Sequence, residues 1–96
     1  MMEKVYIAGK ITGDPEYRMK FGRAARALEM TGNVVLNPAT LPNGLNQADY
    51  MHICFAMLDC ADRAVFLPDW NESEGAMLEQ AYCAKTGKPV AFLAGV

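Results

Sequence analysis

The sequence predicts a small doubly wound α/β domain, a parallel sheet of four strands with helices on both faces. Three observations lead to that class. Short apolar runs at residues 5–8, 34–36, 64–67 and 90–93 alternate with three longer stretches of helical periodicity. The runs are continuously apolar rather than alternating, the pattern of strands covered on both sides. With 96 residues, 52% of them apolar and 21% charged, the chain is one domain spanning 1–96 with one modest core.

Val5-Tyr6-Ile7-Ala8, closed by Gly9, is the first strand. Asp14-Pro15-Glu16 then offers an N-cap, a proline at the first helical position and an acid in the first turn. Tyr17, Phe21, Ala24, Ala25 and Leu28 follow at spacings of three and four, and Gly32 stands where a helix C-cap belongs. Val34-Val35-Leu36 is the second strand, stopped by Asn37-Pro38. Residues 39–46 are a loop marked by Pro42, Asn43 and Gly44. A second helix runs from about Asn46 to about Asp59, with Tyr50, Ile53, Cys54, Met57 and Leu58 on one stripe. Ala64-Val65-Phe66-Leu67 is the third strand, closed by Pro68. Ser73 caps a third helix that ends at Gly87, and Val90-Ala91-Phe92-Leu93 is the last strand. This βαβαβαβ order, with right-handed crossovers, predicts a flavodoxin-like or Rossmann-like sheet of order 2-1-3-4.

Composition narrows the function classes. Nine basic and eleven acidic residues give a net charge of −2 without a basic stripe, so no nucleic-acid polymer is expected as a partner. No run approaches the roughly 18 apolar residues of a membrane span. Met1-Met2-Glu3-Lys4-Val5 leads into a strand without a signal-peptide core. A cytoplasmic protein that meets no membrane is the expectation. Cys54, Cys60 and Cys83, with the single His52, match no zinc spacing and read as buried reduced thiols; no metal and no cofactor is expected. Seven methionines and a second helix apolar nearly all round predict a homo-oligomer. The simplest form is a two-fold dimer through Tyr50, Met51, Cys54, Met57 and Leu58.

In such a sheet, ligands bind beyond the carboxyl ends of the strands where the strand order reverses, here between the first and third strands. The loops at that point are Gly9-Lys10-Ile11-Thr12-Gly13 and Pro68-Asp69-Trp70-Asn71-Glu72-Ser73. The first lacks the third glycine of a dinucleotide fingerprint and the Gly-Lys-Ser/Thr of a P-loop. Ser73 as N-cap leaves backbone N–H groups of the third helix facing the cleft, an anion site, and Gly75 allows close backbone approach. Glu79, six residues into that helix, is either a desolvated nucleophile or base, or a solvated surface glutamate. Tyr6 either aims its hydroxyl at the same cleft or is a half-buried strand residue. Trp70, the only tryptophan, either stacks on a planar ligand such as a nucleobase or packs under its loop. His52 has no partner for a triad.

Val5-Tyr6-Ile7-Ala8-Gly9, Gly75-x-x-x-Glu79-x-Ala81 and Gly87-Lys88-Pro89-Val90 together resemble three segments of the nucleoside 2-deoxyribosyltransferase superfamily: its opening strand, its nucleophile helix and the approach to its last strand. Leu67-Pro68-x-Trp70 with Ser73-Glu74-Gly75-Ala76 is most similar to a short uncharacterised phage and prophage branch (DUF4406-like). The resemblance spans residues 4–93. It implies hydrolysis or transfer at the N-glycosidic bond of a 2′-deoxynucleoside or its 5′-monophosphate, without metal or cofactor. Glu79 would attack C1′, Tyr6 would orient Glu79, and a carboxylic acid would protonate the departing base, as in retaining glycosidases. Where the transferases carry an assisting acid, eight residues before Asp62, this chain has Cys54, and Asp69 is the substitute. Six residues before the nucleophile, the transferases hold the sugar 5′-hydroxyl with an aspartate. Ser73 stands there instead, as small polar residues do in the superfamily's monophosphate N-hydrolases. Gly9, Lys10, Ile11, Trp70, Ser73 and Gly75 complete the expected ligand-binding set, with Lys10 or Arg18 balancing a phosphate. The chain ends at Val96, before the extension that the transferases lend to a neighbouring subunit. The competing reading is a non-catalytic phage or prophage protein that binds or sequesters a nucleotide or nucleotide-derived signal.

Overall fold

A computed structural model describes residues 2–94. Strands β1 (Lys4–Ala8), β2 (Val34–Leu36), β3 (Arg63–Phe66) and β4 (Val90–Phe92) form a single parallel sheet of order β2-β1-β3-β4. Helices α1 (Tyr17–Met30), α2 (Gln47–Cys60) and α3 (Glu74–Thr86) connect them, with 3-10 turns at Pro38–Thr40 and Trp70–Glu72. The expected doubly wound α/β architecture and strand order are both present.

Successive residues of the central strands feed two separate cores. Tyr6 and Ala8 of β1 lie with Ala64 and Phe66 of β3 against Cys54 and Leu58 of α2 and Ala76 and Cys83 of α3. Ile7, on the opposite face, packs with Leu67 against Phe21, Ala24 and Ala25 of α1. Period-two alternation therefore demands apolar side chains at consecutive positions, because both faces are covered. Full burial of Ile7, Phe21, Phe66 or Leu67 contributes about 1.5–3 kcal/mol each. Tyr6 pairs with Ala64 and Ala8 with Phe66 in the register of β1 and β3, so the two strands end side by side.

The helix ends show where local chemistry prevailed and where it did not. Asn46 and Asp49 form a reciprocal capping box that starts α2. Ser73 Oγ accepts from the Ala76 N–H at 3.2 Å and starts α3. Gly87, at φ 79°, ends α3 in the left-handed conformation that favours glycine. α1 begins later than the Asp14-Pro15 signal predicts. Asp14 Oδ1 captures the Glu16 N–H at 2.9 Å in a turn, and Asp14 Oδ2 is drawn to the Lys20 ammonium at 2.5 Å. Helical geometry then starts at Tyr17, without a side-chain cap. The expected loop at 39–46 opens within the 3-10 turn, whose Ala39 is buried under α1.

One further expectation is corrected. Cys54 and Cys83 are buried, but Cys60, at the last position of α2, is exposed. On α2, Cys54 and Leu58 are buried, with Phe55 and Met57 packed against their cluster, and Tyr50, Met51 and Ile53 are half-buried. The exposed large apolar groups lie elsewhere, at Met19, Met30, Val34, Met77, Leu78 and Phe92 among others. Among the described residues, no helix is long and apolar enough to cross a membrane.

Candidate functional site

A cleft of about 810 Å³ opens where the strand order reverses, at the carboxyl ends of β1 and β3. Tyr6, Ala8 and Gly9 form its floor, Ile11, Thr12 and Tyr17 one wall, and the start of α3 the opposite wall. Gly9 is required by the close approach of the two strand ends. A Cβ there would stand 2.9 Å from Leu67 Cδ1 and 3.2 Å from Asp69 Oδ1. Gly75 serves a similar need between α3 and α2, since its Cβ would meet Met51 Sδ at 3.3 Å.

On the floor, Tyr6 Oη donates a 2.6 Å hydrogen bond to Glu79 Oε2, across 73 positions of sequence. Glu79 reaches this point because Ala76, Glu79 and Cys83 form the inward stripe of α3, at spacings of three and four. It is 5% exposed and is the buried charged side chain among the described residues. Burial pushes its carboxyl up from 4.5 to about 7, against the Tyr6 hydroxyl, which favours the ionised form. Burial first, and then the Glu79 charge, lift the Tyr6 phenol well above its ordinary range, so it remains a donor. The Cys54 thiol stands beside them, raised by burial and by Glu79 and lowered by Tyr6. The three side chains come from β1, α2 and α3, and all line the cleft.

At the upper edge, Ser73 Oγ is committed to the Ala76 N–H, leaving the N–H groups of Glu74 and Gly75 without helical acceptors. Glu72 and Glu74 also line the cleft. Lys10 Nζ stands 3.7 Å from Glu72 Oε1 at the rim.

The structure thus brings Tyr6, Gly9, Ile11, Ser73, Gly75 and Glu79 together and leaves Lys10, Asp69 and Trp70 off the cleft surface. Asp69 was expected to face a departing base. Instead its Oδ1 accepts the Lys10 N–H at 3.1 Å and its Oδ2 is held by Lys20. Trp70 packs edge-on against Phe66, with centroids 5.7 Å apart, and lies 5.4 Å from the Phe92 ring. Its apolar ring is better satisfied by the open end of the β3–β4 core than by the cleft. Arg18 bonds to Asn43 Oδ1 at 2.9 Å and to the Tyr17 hydroxyl at 2.8 Å, so it is not a free counter-charge. His52 is exposed and away from the cleft. Sequence reasoning missed Tyr17, Tyr50 and Glu72 as lining residues, and it gave Lys20 no part in the site. The helical stripe of Tyr50 and the position of Glu72 in the third-strand loop were available signals. The tie of Lys20 to Asp69 gave none, because the two are 49 positions apart. No trio of metal-ligating side chains occurs among the described residues.

Fold and site define a small doubly wound α/β protein with a buried Tyr–Glu pair in its switch-point cleft. Residues 3–92 match the family described as "Domain of unknown function (DUF4406)", and the chain belongs to that family. Comparison with curated proteins gives no match.

Proposed function

We propose that the protein acts on the N-glycosidic bond of a 2′-deoxynucleoside 5′-monophosphate, with Glu79 as nucleophile. The observation that carries this reading is the buried Tyr6–Glu79 hydrogen bond on the floor of the cleft. Ionised Glu79 attacks C1′, and the C1′–N bond breaks with its electron pair leaving on the base. The base takes up a proton at the cleft wall, where Glu72 and Glu74 stand. Water then attacks C1′ and passes one proton to the cleft-wall carboxylate that protonated the base, while Glu79 departs as the carboxylate, giving the free base and a sugar phosphate in a retaining sequence. Tyr6 keeps Glu79 oriented and stabilises its charge. The phosphate meets the free N–H groups of Glu74 and Gly75, favoured by the helix macrodipole. Lys10 turns from Glu72 to balance its charge.

Incubation with a panel of deoxynucleoside monophosphates tests the reading, followed as released base and as a covalent adduct mass. Wild type should release base, and Glu79→Gln should lose at least about three orders of magnitude in rate. Equal release by the Gln variant rejects Glu79.

One observation favours a second reading, a nucleotide-binding protein without turnover. The cleft floor holds a single carboxylate with Cys54 beside it, whereas retaining glycosidic chemistry uses a pair. Tight retention of a nucleotide with no free base identifies that case. The proposed setting is the cytoplasm, and the proposed state is a homo-oligomer. A monomer mass by light scattering at micromolar concentration rejects the latter.

A further inference from the structure

Outside the Tyr6–Glu79 pair, the most connected polar group is the ammonium of Lys20. An ammonium has three protons to donate. Lys20 places them on the Lys10 carbonyl at 3.1 Å, on Asp14 Oδ2 at 2.5 Å and on Asp69 Oδ2. Its side chain is 17% exposed, so this charge is substantially withdrawn from water. Burial lowers its proton affinity, but the hydrogen bonds to Asp14 and Asp69 more than offset that and hold it above its ordinary value.

The acceptors belong to two loops. Lys10 and Asp14 lie in the loop between β1 and α1, and Asp69 lies in the loop after β3. The backbone of Lys10 is gripped on both sides, its N–H by Asp69 and its carbonyl by Lys20. Gly9 and Ile11, the neighbours of Lys10, line one side of the cleft. Glu72 and Ser73, just after the Asp69 loop, line the other. None of Lys20, Asp14 and Asp69 lines the cleft itself.

We propose that Lys20 is a positioning residue that straps the two strand-end loops together and so fixes the spacing of the cleft walls. Its effect on a ligand passes entirely through Lys10 and Asp69. The strap stands on the loop geometry alone; its consequence for a deoxynucleotide rests on the function proposed above.

Amide hydrogen exchange on Lys20→Met decides the first part, since methionine keeps the length and apolar stem but donates nothing. Exchange at residues 10–13 and 69–72 should accelerate about tenfold or more, while core amides at 5–8 and 76–83 keep their protection. Trp70, the only tryptophan, adjoins Asp69, and its emission should shift with the loop. Asp69→Asn keeps an acceptor for the Lys10 N–H but removes the charge, and should loosen the same segments to a smaller extent. That variant also serves if Lys20→Met does not fold. Unchanged loop exchange, or acceleration spread evenly over loops and core, overturns the strap. For the second part, calorimetry with 2′-deoxyguanosine 5′-monophosphate should show binding to Lys20→Met weakened about tenfold, a loss of about 1.4 kcal/mol. The pH inflection set by Glu79 should stay where it is. Undiminished affinity overturns the consequence. If wild type binds no monophosphate, the proposed function fails, whereas the exchange result still decides the strap.

Discussion

Replacing Glu79 by glutamine should make the protein progressively more stable, relative to wild type, as pH rises. In the folded protein the Glu79 carboxyl is raised from 4.5 to about 7 by burial. Between those values the folded state holds a proton that the unfolded chain has released, so wild-type stability falls as pH rises through this window. The penalty is absent below pH 4.5 and complete above pH 7. At 1.36 kcal/mol per pKa unit it amounts to about 3 kcal/mol. Glutamine has the shape of the protonated acid and no proton to lose. It can still accept from Tyr6, although its amide donors, buried at this site, add a fixed cost of about 1–3 kcal/mol. That cost does not depend on pH, so the change in the difference between the two proteins is the quantity to read. Urea unfolding of both at pH 4, 6, 7 and 8 should show the difference moving in favour of the Gln variant by about 3 kcal/mol, mostly between pH 4.5 and 7. A difference that stays constant within about 1 kcal/mol would refute a desolvated carboxylate at this position.

The remaining predictions use the same geometry. If ionised Glu79 is the nucleophile, base release should rise with pH and level off above about 7. Tyr6→Phe removes the hydroxyl that favours the carboxylate, so this inflection should move to higher pH, with a stability loss of about 1–3 kcal/mol in urea melts. Gly9→Ala places a Cβ 2.9 Å from Leu67 Cδ1, and Leu67 is fully buried and cannot yield. Thermal unfolding should show a loss of about 1–3 kcal/mol. Ser73→Asp keeps the cap but sets a carboxylate beside the free N–H groups of α3. Calorimetry should find that it weakens a monophosphate more than the free nucleoside, and an unchanged ratio rejects a phosphate at this helix end.

Most of the fold was legible because its determinants are local. The apolar runs of β1 and β3, the Asn46 and Ser73 caps and Gly87 each act within one or two turns of chain. The start of α1 was misplaced because the Asp14 carboxylate, a good cap by its neighbours, is drawn to Lys20 instead. The same limit applies at the site. Position 79 was singled out by the Gly75-x-x-x-Glu79 spacing, but its hydrogen-bond partner came from β1, 73 positions away. Trp70 was ambiguous because Phe92, which it meets, lies on another strand.

Asp69 and Glu79 make the point most sharply, since both are carboxylates near the carboxyl end of β3 and both were candidates for the chemistry. Asp69 is compensated in full: it accepts from a backbone N–H and from an ammonium. Glu79 has only a neutral hydroxyl. Near these loops, Lys20 is committed to Asp14 and Asp69 and Lys88 to the Ala61 carbonyl, while Lys10 stands 3.7 Å from Glu72 at the rim. A chain shaped for stability alone would place an apolar residue at position 79, where the stripe of Ala76 and Cys83 already supplies the packing. Keeping a carboxylate there at a cost of about 3 kcal/mol is a large share of the 5–15 kcal/mol by which domains are stable. Such a cost persists where the ionised form is used. The two carboxylates therefore differ in kind: Asp69 is paired with the Lys10 N–H and the Lys20 ammonium, and Glu79, left short of a counter-charge beneath the cleft, is the carboxylate on which the proposed function rests.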